Sequence, residues 1–245
     1  MVEKIDEGGI VSISDPDAAL MVIQQSVLSL WETVNNLTRL RPKRLKHFYV
    51  TIFGSARILP DTPAYDDVRR LARELSALGC QIVTGGGPGL MQAANEGAIL
   101  GDPEDRVGSI GIRVELPFEQ GANAFVGQAY THRTFFTRLH HFILISDAFI
   151  VVPGGIGTAL ETFMVWQLLQ VRRLYGVPLV LIGPMWQELV DWASRHMAQA
   201  RPTPLANDVD MTIPRCVPTV DEALAVVRER YQQWKAAGEH EPKGV

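Results

Sequence analysis

From residue 47 onward, the chain alternates short apolar runs with segments that carry apolar residues at helical spacing. This alternation is typical of an α/β protein, in which helices connect parallel strands and cover both faces of the sheet. We therefore predict a Rossmann-like, doubly wound, mostly parallel sheet with helices on both faces. The predicted strands are 48–53, 81–84, 108–114, 148–152, 179–182 and 211–213, and the predicted helices are 63–78, 90–100, 134–145, 158–174, 186–200 and 220–237.

The segment before residue 47 has a different pattern. Asp15 followed by Pro16 is a typical helix start, and residues 18–40 carry apolar side chains at helical spacing. We predict one amphipathic helix here, with its apolar face buried on the main domain or on a second subunit. The predicted organisation is an N-terminal helical extension at 1–46, a Rossmann-like domain at 47–237 and a flexible tail at 238–245.

Composition and charge argue against several classes of protein. The net charge of −4 gives no basic surface for nucleic acid, and no apolar run is long enough to span a membrane. The N-terminus lacks the apolar core of a secretory signal, so we expect a cytoplasmic protein. The two cysteines, Cys80 and Cys216, have no metal-ligand spacing, and we expect no bound metal.

Glycine, hydroxyl and carboxylate residues follow four of the predicted strands. Gly54-Ser55 follows the first strand, and the glycine-rich loop 85–89 follows the second. Glu115 follows the third strand, and the glycine-rich loop 153–158 follows the fourth. Because ligands bind beyond the carboxyl ends of parallel strands, we expect these segments to form one ligand site.

The two glycine-rich loops are suited to bind phosphate. Each leads into a predicted helix, where unpaired N–H groups and the helix dipole favour an anion, and glycine allows close approach. Thr158 and Ser55 can add hydroxyl donors. Neither loop has the Gly-Lys-Ser/Thr of a P-loop or the third glycine of a dinucleotide-binding loop. The pattern favours a monophosphate held between the loops; the alternative is that the glycines only allow tight strand-to-helix turns.

Glu161 and Arg138 each have two interpretations. Glu161 lies three residues after Thr158, where it is either the glutamate of a capping box or a carboxylate beside the bound phosphate or sugar. Arg138 lies beside the apolar face of its predicted helix, where it either binds phosphate or is a solvated surface residue. The spacing alone leaves both questions open.

Several of these segments together resemble the Lonely Guy family. The segment from Pro153 to Glu161 matches the family motif Pro-Gly-Gly-x-Gly-Thr-x-x-Glu throughout. Further similar segments occur at 85–95, at 115–120 with Asn123, at 135–138 and at 146–149. Members of the family are cytokinin riboside 5′-monophosphate phosphoribohydrolases and bacterial relatives that act on purine or pyrimidine nucleotides. The resemblance covers about residues 48–195.

The resemblance implies an enzyme that hydrolyses the N-glycosidic bond of a nucleoside 5′-monophosphate, AMP-like or a cytokinin nucleotide, to free base and ribose 5-phosphate. It implies that Glu161 and Arg138 are catalytic. Because Glu115 and Glu119 follow the third predicted strand, we take one of them as a candidate second carboxylate near the base. The residues implied to bind substrate or phosphate are Gly54, Ser55, Gly85, Gly86, Gly87, Gly89, Met91, Gly154, Gly155, Gly157 and Thr158. It implies a small-molecule nucleotide as partner and a homodimer or higher homo-oligomer, and we expect no cofactor.

One position departs from the family pattern, because Leu139 follows Arg138 where relatives usually have lysine. A non-catalytic carrier of a nucleotide or phosphorylated cofactor, with the same fold, therefore stays open as an alternative, and a purely structural oligomer is a third. Proteins of this kind have also been called lysine decarboxylases, which would need pyridoxal phosphate on a lysine. All the lysines lie outside 47–234, namely Lys4, Lys43, Lys46, Lys235 and Lys243.

Overall fold

The computed structural model describes residues 15–37, 47–115 and 121–237, and the chain divides into two compact units, Met1–Pro42 and Lys43–Val245. In the first unit, helix α1 spans Pro16–Leu37. It begins where the sequence predicts, since Asp15 Oδ1 accepts a hydrogen bond of 3.1 Å from the Ala18 N–H. The predicted end of this helix and the predicted tail at 238–245 lie outside the described residues. Within those residues, no helix is long and apolar enough to cross a membrane.

The second unit contains a seven-stranded sheet with the strand order β4-β3-β2-β1-β5-β6-β7. The strands are β1 Phe48–Phe53, β2 Cys80–Thr84, β3 Ser109–Val114, β4 Gln128–His132, β5 Ala148–Val151, β6 Leu179–Ile182 and β7 Pro214–Val217. The helices are α2 Pro63–Ala77, α3 Leu90–Gly101, α4 Phe135–Ile145, α5 Ile156–Gln170, α6 Pro184–Ala193 and α7 Val220–Ala236. All neighbouring strands pair in parallel, which confirms the predicted α/β fold.

Helices cover both faces of the sheet because its central strands are apolar on both sides. On one face, Val50 and Ile82 belong to a buried cluster with residues of α2, α3 and α7. On the other face, Phe53 and Val83 belong to a second buried cluster with residues of α4, α5 and α6. Successive residues of a strand point to opposite faces, so a sheet covered on both sides needs the nearly continuous apolar runs of this sequence.

The two edge strands differ from the sequence prediction. β4, with the sequence Gln-Ala-Tyr-Thr-His, was not among the predicted strands because it has no apolar run and four of its five residues are exposed. The strand predicted at 211–213 is wrong, since Asp208–Thr212 form a 3₁₀ helix and β7 follows at Pro214–Val217. An edge strand pairs on one side only, so its sequence is less constrained than that of a central strand.

Two helix boundaries also differ from the prediction. α5 begins at Ile156, two positions earlier than predicted, and ends before Arg172, whose φ of 56° is left-handed. α6 ends at Ala193 and is followed by a π-helical turn at Ser194–Ala198, so the predicted helix at 186–200 is two elements. The earlier start of α5 decides the position of Thr158 within that helix.

The strand order reverses between β1 and β5, which are neighbours in the sheet although they are far apart in the chain. At such a point the connections leave toward opposite faces, which opens a crevice at the carboxyl ends of the two strands. α4, which carries Arg138, is tied to β4 by His132 Nε2 and His141 Nδ1, which lie 3.0 Å apart. The fold therefore provides both the crevice and a fixed helix at its side.

Candidate functional site

A cavity of about 470 Å³ opens at the crevice between β1 and β5. Its walls come from the loop after β1, the end of β3, the starts of α3 and α4, and the first turns of α5. The lining residues are Gly54, Ser55, Ala56, Arg57, Met91, Val114, Phe135, Arg138, Gly155, Ile156, Gly157, Thr158 and Glu161. The volume falls within the range of roughly 300–1,000 Å³ that small-molecule sites usually have.

The first turn of α5 faces the cavity with glycine. α5 begins after the N-cap residue Gly155, which makes no side-chain cap hydrogen bond. A Cβ added to Gly155 or to Gly157 would meet no atom within 4 Å, so both glycines border open space. Gly154 is different, because its Cβ would overlap the Thr158 side chain. The turn thus presents backbone N–H groups and the positive end of the helix dipole to the cavity, an arrangement that suits an anion.

Arg138 and Glu161 form an ion pair in the cavity wall. Arg138 Nη1 donates to Glu161 Oε1 at 2.9 Å, and Arg138 Nε donates to the Ile112 carbonyl oxygen at 2.8 Å. Their side chains are only 13% and 11% exposed. Burial raises the pKa of the Glu161 carboxyl to about 7, although the charge and hydrogen bond of Arg138 oppose the rise. Glu161 can therefore gain or lose a proton near neutral pH.

The capping-box interpretation of Glu161 is wrong. Gly155 is the N-cap of α5, so Thr158 lies inside the helix and Glu161 lies well beyond the position that a capping box requires. The Glu161 carboxylate binds Arg138 instead of a backbone N–H at the helix start. The surface interpretation of Arg138 is also wrong, because its side chain is nearly buried and lines the cavity.

The glycines of the 85–89 loop border protein atoms, and none of them is among the lining residues of the cavity. A Cβ on Gly85 would overlap Arg138 Nη2 and would lie 2.7 Å from Met91 Sδ. A Cβ on Gly89 would overlap the Ser55 carbonyl oxygen. Met91, unlike the glycines, lines the cavity. A direct contact between this loop and phosphate stays a prediction. In the structure, Gly85 packs against Arg138 and Gly89 packs against the loop after β1.

A buried polar network holds the 85–89 loop in place. Thr84 Oγ1 accepts a hydrogen bond from the Gly86 N–H at 2.9 Å and donates one to Asn95 Oδ1 at 2.7 Å. Asn123 Nδ2 donates to the Gly87 carbonyl oxygen at 2.9 Å and to Asn95 Oδ1 at 3.0 Å. Sequence reasoning missed the roles of Thr84 and Asn95, because hydroxyl and amide side chains near a glycine loop have no characteristic spacing.

The other sequence candidates are divided between the cavity and its surroundings. Gly54 and Ser55 line the cavity. Glu115 is exposed at the end of β3, outside the cavity lining, and its N–H donates to the His132 carbonyl oxygen at 2.8 Å. Glu119 lies outside the described residues. Leu139 is 7% exposed on the inner face of α4 and does not line the cavity, so this position adds no group to the cavity wall.

Arg57 is a cavity residue that sequence reasoning missed. It lies two residues after Ser55 in the loop that follows β1, and it joins Arg138 and Glu161 as the charged residues among the described part of the lining. Its place immediately after a central parallel strand was a usable signal, because ligands bind at that end of the sheet.

A family model described as "possible lysine decarboxylase" matches residues 91–227, which is more than half of the chain. Over 122 residues, the chain is 30% identical to the pyrimidine/purine nucleotide 5′-monophosphate nucleosidase of Escherichia coli strain K12. That alignment covers 47% of this chain and 27% of the relative, and the protein of the same name from Escherichia coli O157:H7 matches equally. The chain thus spans just over a quarter of the length of the curated relatives it matches.

Solved structures share the fold. The molybdenum cofactor binding protein of Rippkaea orientalis is 17% identical with a TM-score of 0.55, and the match covers 76% of this chain and 98% of that one. The molybdenum cofactor carrier protein of Chlamydomonas reinhardtii is 19% identical with a TM-score of 0.52, and the match covers 76% of this chain and 99% of that one. At these identities the likeness establishes the fold alone.

Proposed function

We propose that this chain, which belongs to the Lonely Guy family, hydrolyses the N-glycosidic bond of a nucleoside 5′-monophosphate to a free base and ribose 5-phosphate. The observation that carries the proposal is the buried Arg138–Glu161 pair in a cavity that the glycine-lined first turn of α5 also borders. The curated relatives named as pyrimidine/purine nucleotide 5′-monophosphate nucleosidases support it.

In this proposal, the 5′-phosphate binds at the first turn of α5. Gly155 and Gly157 leave room for phosphate oxygens to approach the backbone N–H groups, and Thr158 and Ser55 add hydroxyl groups to the same cavity. The helix N-terminus favours the negative charge. Holding the phosphate there fixes the ribose in the cavity, so binding energy is used to position the reacting C1′ atom.

Glu161 then acts on the ribose. The C1′–N bond breaks, the base departs with the bonding electron pair and takes up a proton from solvent, and positive charge develops on the ribose ring. An ionised carboxylate stabilises this charge, as carboxylates do in glycosidases. Glu161 accepts a proton from the attacking water, whose oxygen bonds to C1′; a pKa of about 7 suits a base for this transfer. Arg138 orients the carboxylate through the 2.9 Å hydrogen bond.

We do not propose a decarboxylase that uses pyridoxal phosphate, because the residues of the cavity do not fit that cofactor. It needs a lysine for its Schiff base, and the described lining residues include no lysine. Lys235 lies near the end of α7, where its Nζ is 5.6 Å from the centroid of the Tyr231 ring. Two arginines, a glutamate and a glycine-lined helix start fit a phosphorylated sugar better.

The experiment that tests the proposal is incubation of the protein with AMP and with CMP, followed by chromatography of the products. We expect free base and ribose 5-phosphate in equal amounts. Glu161→Gln should lower the rate by about 10²–10⁴, the usual contribution of a positioned acid or base. Glu188→Gln, an exposed glutamate on α6 outside the cavity, is the matched control and should retain the wild-type rate. Since ionised Glu161 is the active form, wild-type kcat/KM should rise with pH around a midpoint near 7.

Two outcomes would contradict the proposal. Equal rates for the wild type and Glu161→Gln would remove Glu161 from the mechanism. Nucleotide binding by calorimetry without release of base from any monophosphate would instead favour the non-catalytic carrier.

A further inference from the structure

We propose that Arg57 binds the phosphate group of the ligand and thereby makes the cavity selective for a phosphorylated sugar. This inference rests on the proposed function, because it assigns the phosphate end of the same ligand. It adds a residue that neither the sequence motif nor the ion pair identifies. Three observations carry it: the distribution of charge in the cavity, the way the Arg57 backbone is held, and the side of the cavity on which it lies.

The Arg138 guanidinium already contacts other groups of the protein. Its Nη1 donates to Glu161, its Nε donates to the Ile112 carbonyl oxygen, and its Nη2 lies so close to Gly85 that a Cβ there would overlap it. When Glu161 is ionised, as the proposed reaction requires, the Arg138–Glu161 pair therefore has no net charge to offer a phosphate. A phosphate monoester carries about −1.5 to −2 at neutral pH, so its binding calls for a further cation.

Arg57 is the cation that meets this need. It lines the cavity, and within the described residues no carboxylate pairs with its guanidinium. With Glu161 ionised, the Arg138–Glu161 pair is neutral, and Arg57 gives the described charged residues of the lining a net charge of +1. The planar guanidinium can donate two parallel hydrogen bonds to two phosphate oxygens, a geometry that an ammonium group does not reproduce.

The backbone before Arg57 is held at the cavity by hydrogen bonds from both sides. The Ser55 N–H donates to the Pro153 carbonyl oxygen at 3.0 Å, and the Ser55 carbonyl oxygen accepts from the Leu90 N–H at 2.8 Å. The Arg57 N–H donates to Ser55 Oγ at 3.1 Å. Because Ser55 Oγ accepts this bond, its own O–H is left to donate to an anion.

The same hydrogen bonds place Arg57 near the first turn of α5. Pro153 precedes Gly155 and Gly157 in the loop that begins this helix, so the Ser55–Pro153 bond joins the loop after β1 to the loop after β5. Arg57 and the open glycines consequently border one cavity. An anion at the helix start is bound by backbone N–H groups on one side, and we assign Arg57 to its other side.

The test is calorimetric titration of the wild type, Arg57→Gln and Arg57→Lys with ribose 5-phosphate and with inorganic phosphate. Loss of a charge-assisted pair of hydrogen bonds should weaken ribose 5-phosphate binding to Arg57→Gln by about tenfold to a hundredfold. Arg57→Lys should fall between the two, because it keeps the charge but not the planar geometry. Arg173→Gln, an exposed arginine after α5 and outside the cavity, should bind as the wild type does. Unchanged thermal unfolding of Arg57→Gln shows that its fold is intact.

The inference is overturned if Arg57→Gln binds ribose 5-phosphate within twofold of the wild type, or if the wild type binds neither probe. It stands if Arg57→Gln weakens binding in a wild type that releases no base from AMP or CMP. In that case the proposed hydrolysis fails while the phosphate role of Arg57 holds, so the two failures are distinguishable.

Discussion

The loops at 85–89 and 153–158 both connect a buried strand to a helix, and both are rich in glycine. In the 153–158 loop, Gly155 and Gly157 have no atom within 4 Å of the place where a Cβ would lie. In the 85–89 loop, Gly85 and Gly89 would each overlap protein atoms at that place. One loop leaves open space in a cavity, and the other allows protein segments to approach each other closely.

The helices that follow the two loops also begin differently. The Leu90 N–H at the start of α3 donates to the Ser55 carbonyl oxygen at 2.8 Å, so it is used inside the protein. The first turn of α5 lines the cavity with Gly157 and Thr158, whereas the start of α3 contributes only the Met91 side chain to the described lining. Glycine content therefore indicates that a loop has little steric restriction. Only the tertiary structure shows whether protein or a ligand uses the space that the missing side chain leaves.

The largest effect that we expect from this difference is a loss of stability in Gly89→Ala. Gly89 has a φ of +70°, which is unfavourable for alanine, and its Cβ would lie 2.6 Å from the Ala56 carbonyl carbon. Backbone atoms cannot move aside as a flexible side chain can, so the free energy of unfolding should fall by about 2–4 kcal/mol. Chemical denaturation measures it, with Gly121→Ala as the control because its Cβ would meet no atom within 4 Å. An unfolding free energy equal to that of the wild type would show that close packing does not explain Gly89.

A smaller effect, of the opposite sign for stability, is expected from Gly157→Ala. Its Cβ would meet no protein atom, and alanine is preferred over glycine in a helix, so the free energy of unfolding should rise by up to about 1 kcal/mol. The same methyl group would occupy space that the proposed phosphate needs, so ribose 5-phosphate should bind about tenfold more weakly. Calorimetry with Gly121→Ala as the control checks the second value. Wild-type affinity in Gly157→Ala would show that phosphate does not approach this glycine.

The central strands of the fold were predictable because burial on both faces requires continuous apolar runs, as in Phe48–Phe53 and Leu179–Ile182. The edge strands were not. β4 has an exposed and largely polar sequence, and its pairing with β3 is a tertiary event that leaves no apolar pattern. β7, with the sequence Pro-Arg-Cys-Val, has no continuous apolar run either, and the apolar residues at 211–213 that suggested a strand precede it.

Most residues of the candidate site could be predicted from the sequence, but the contacts between them could not. The spacing from Thr158 to Glu161 fits a capping box as well as a cavity carboxylate, and only the start of α5 at Ile156 separates the two. The Arg138–Glu161 bond joins residues from different helices, which a spacing within one helix cannot show. Arg57 belongs to no motif, and its place after β1 is the sequence signal for its position in the cavity lining.

A crystal structure of the protein with ribose 5-phosphate tests most directly the central claim that the first turn of α5 binds the 5′-phosphate. We predict phosphate oxygens about 2.7–3.2 Å from backbone nitrogens within residues 155–158, with C1 of the sugar directed toward Glu161. A phosphate bound to the 85–89 loop, or a sugar whose C1 is remote from Glu161, would contradict the claim.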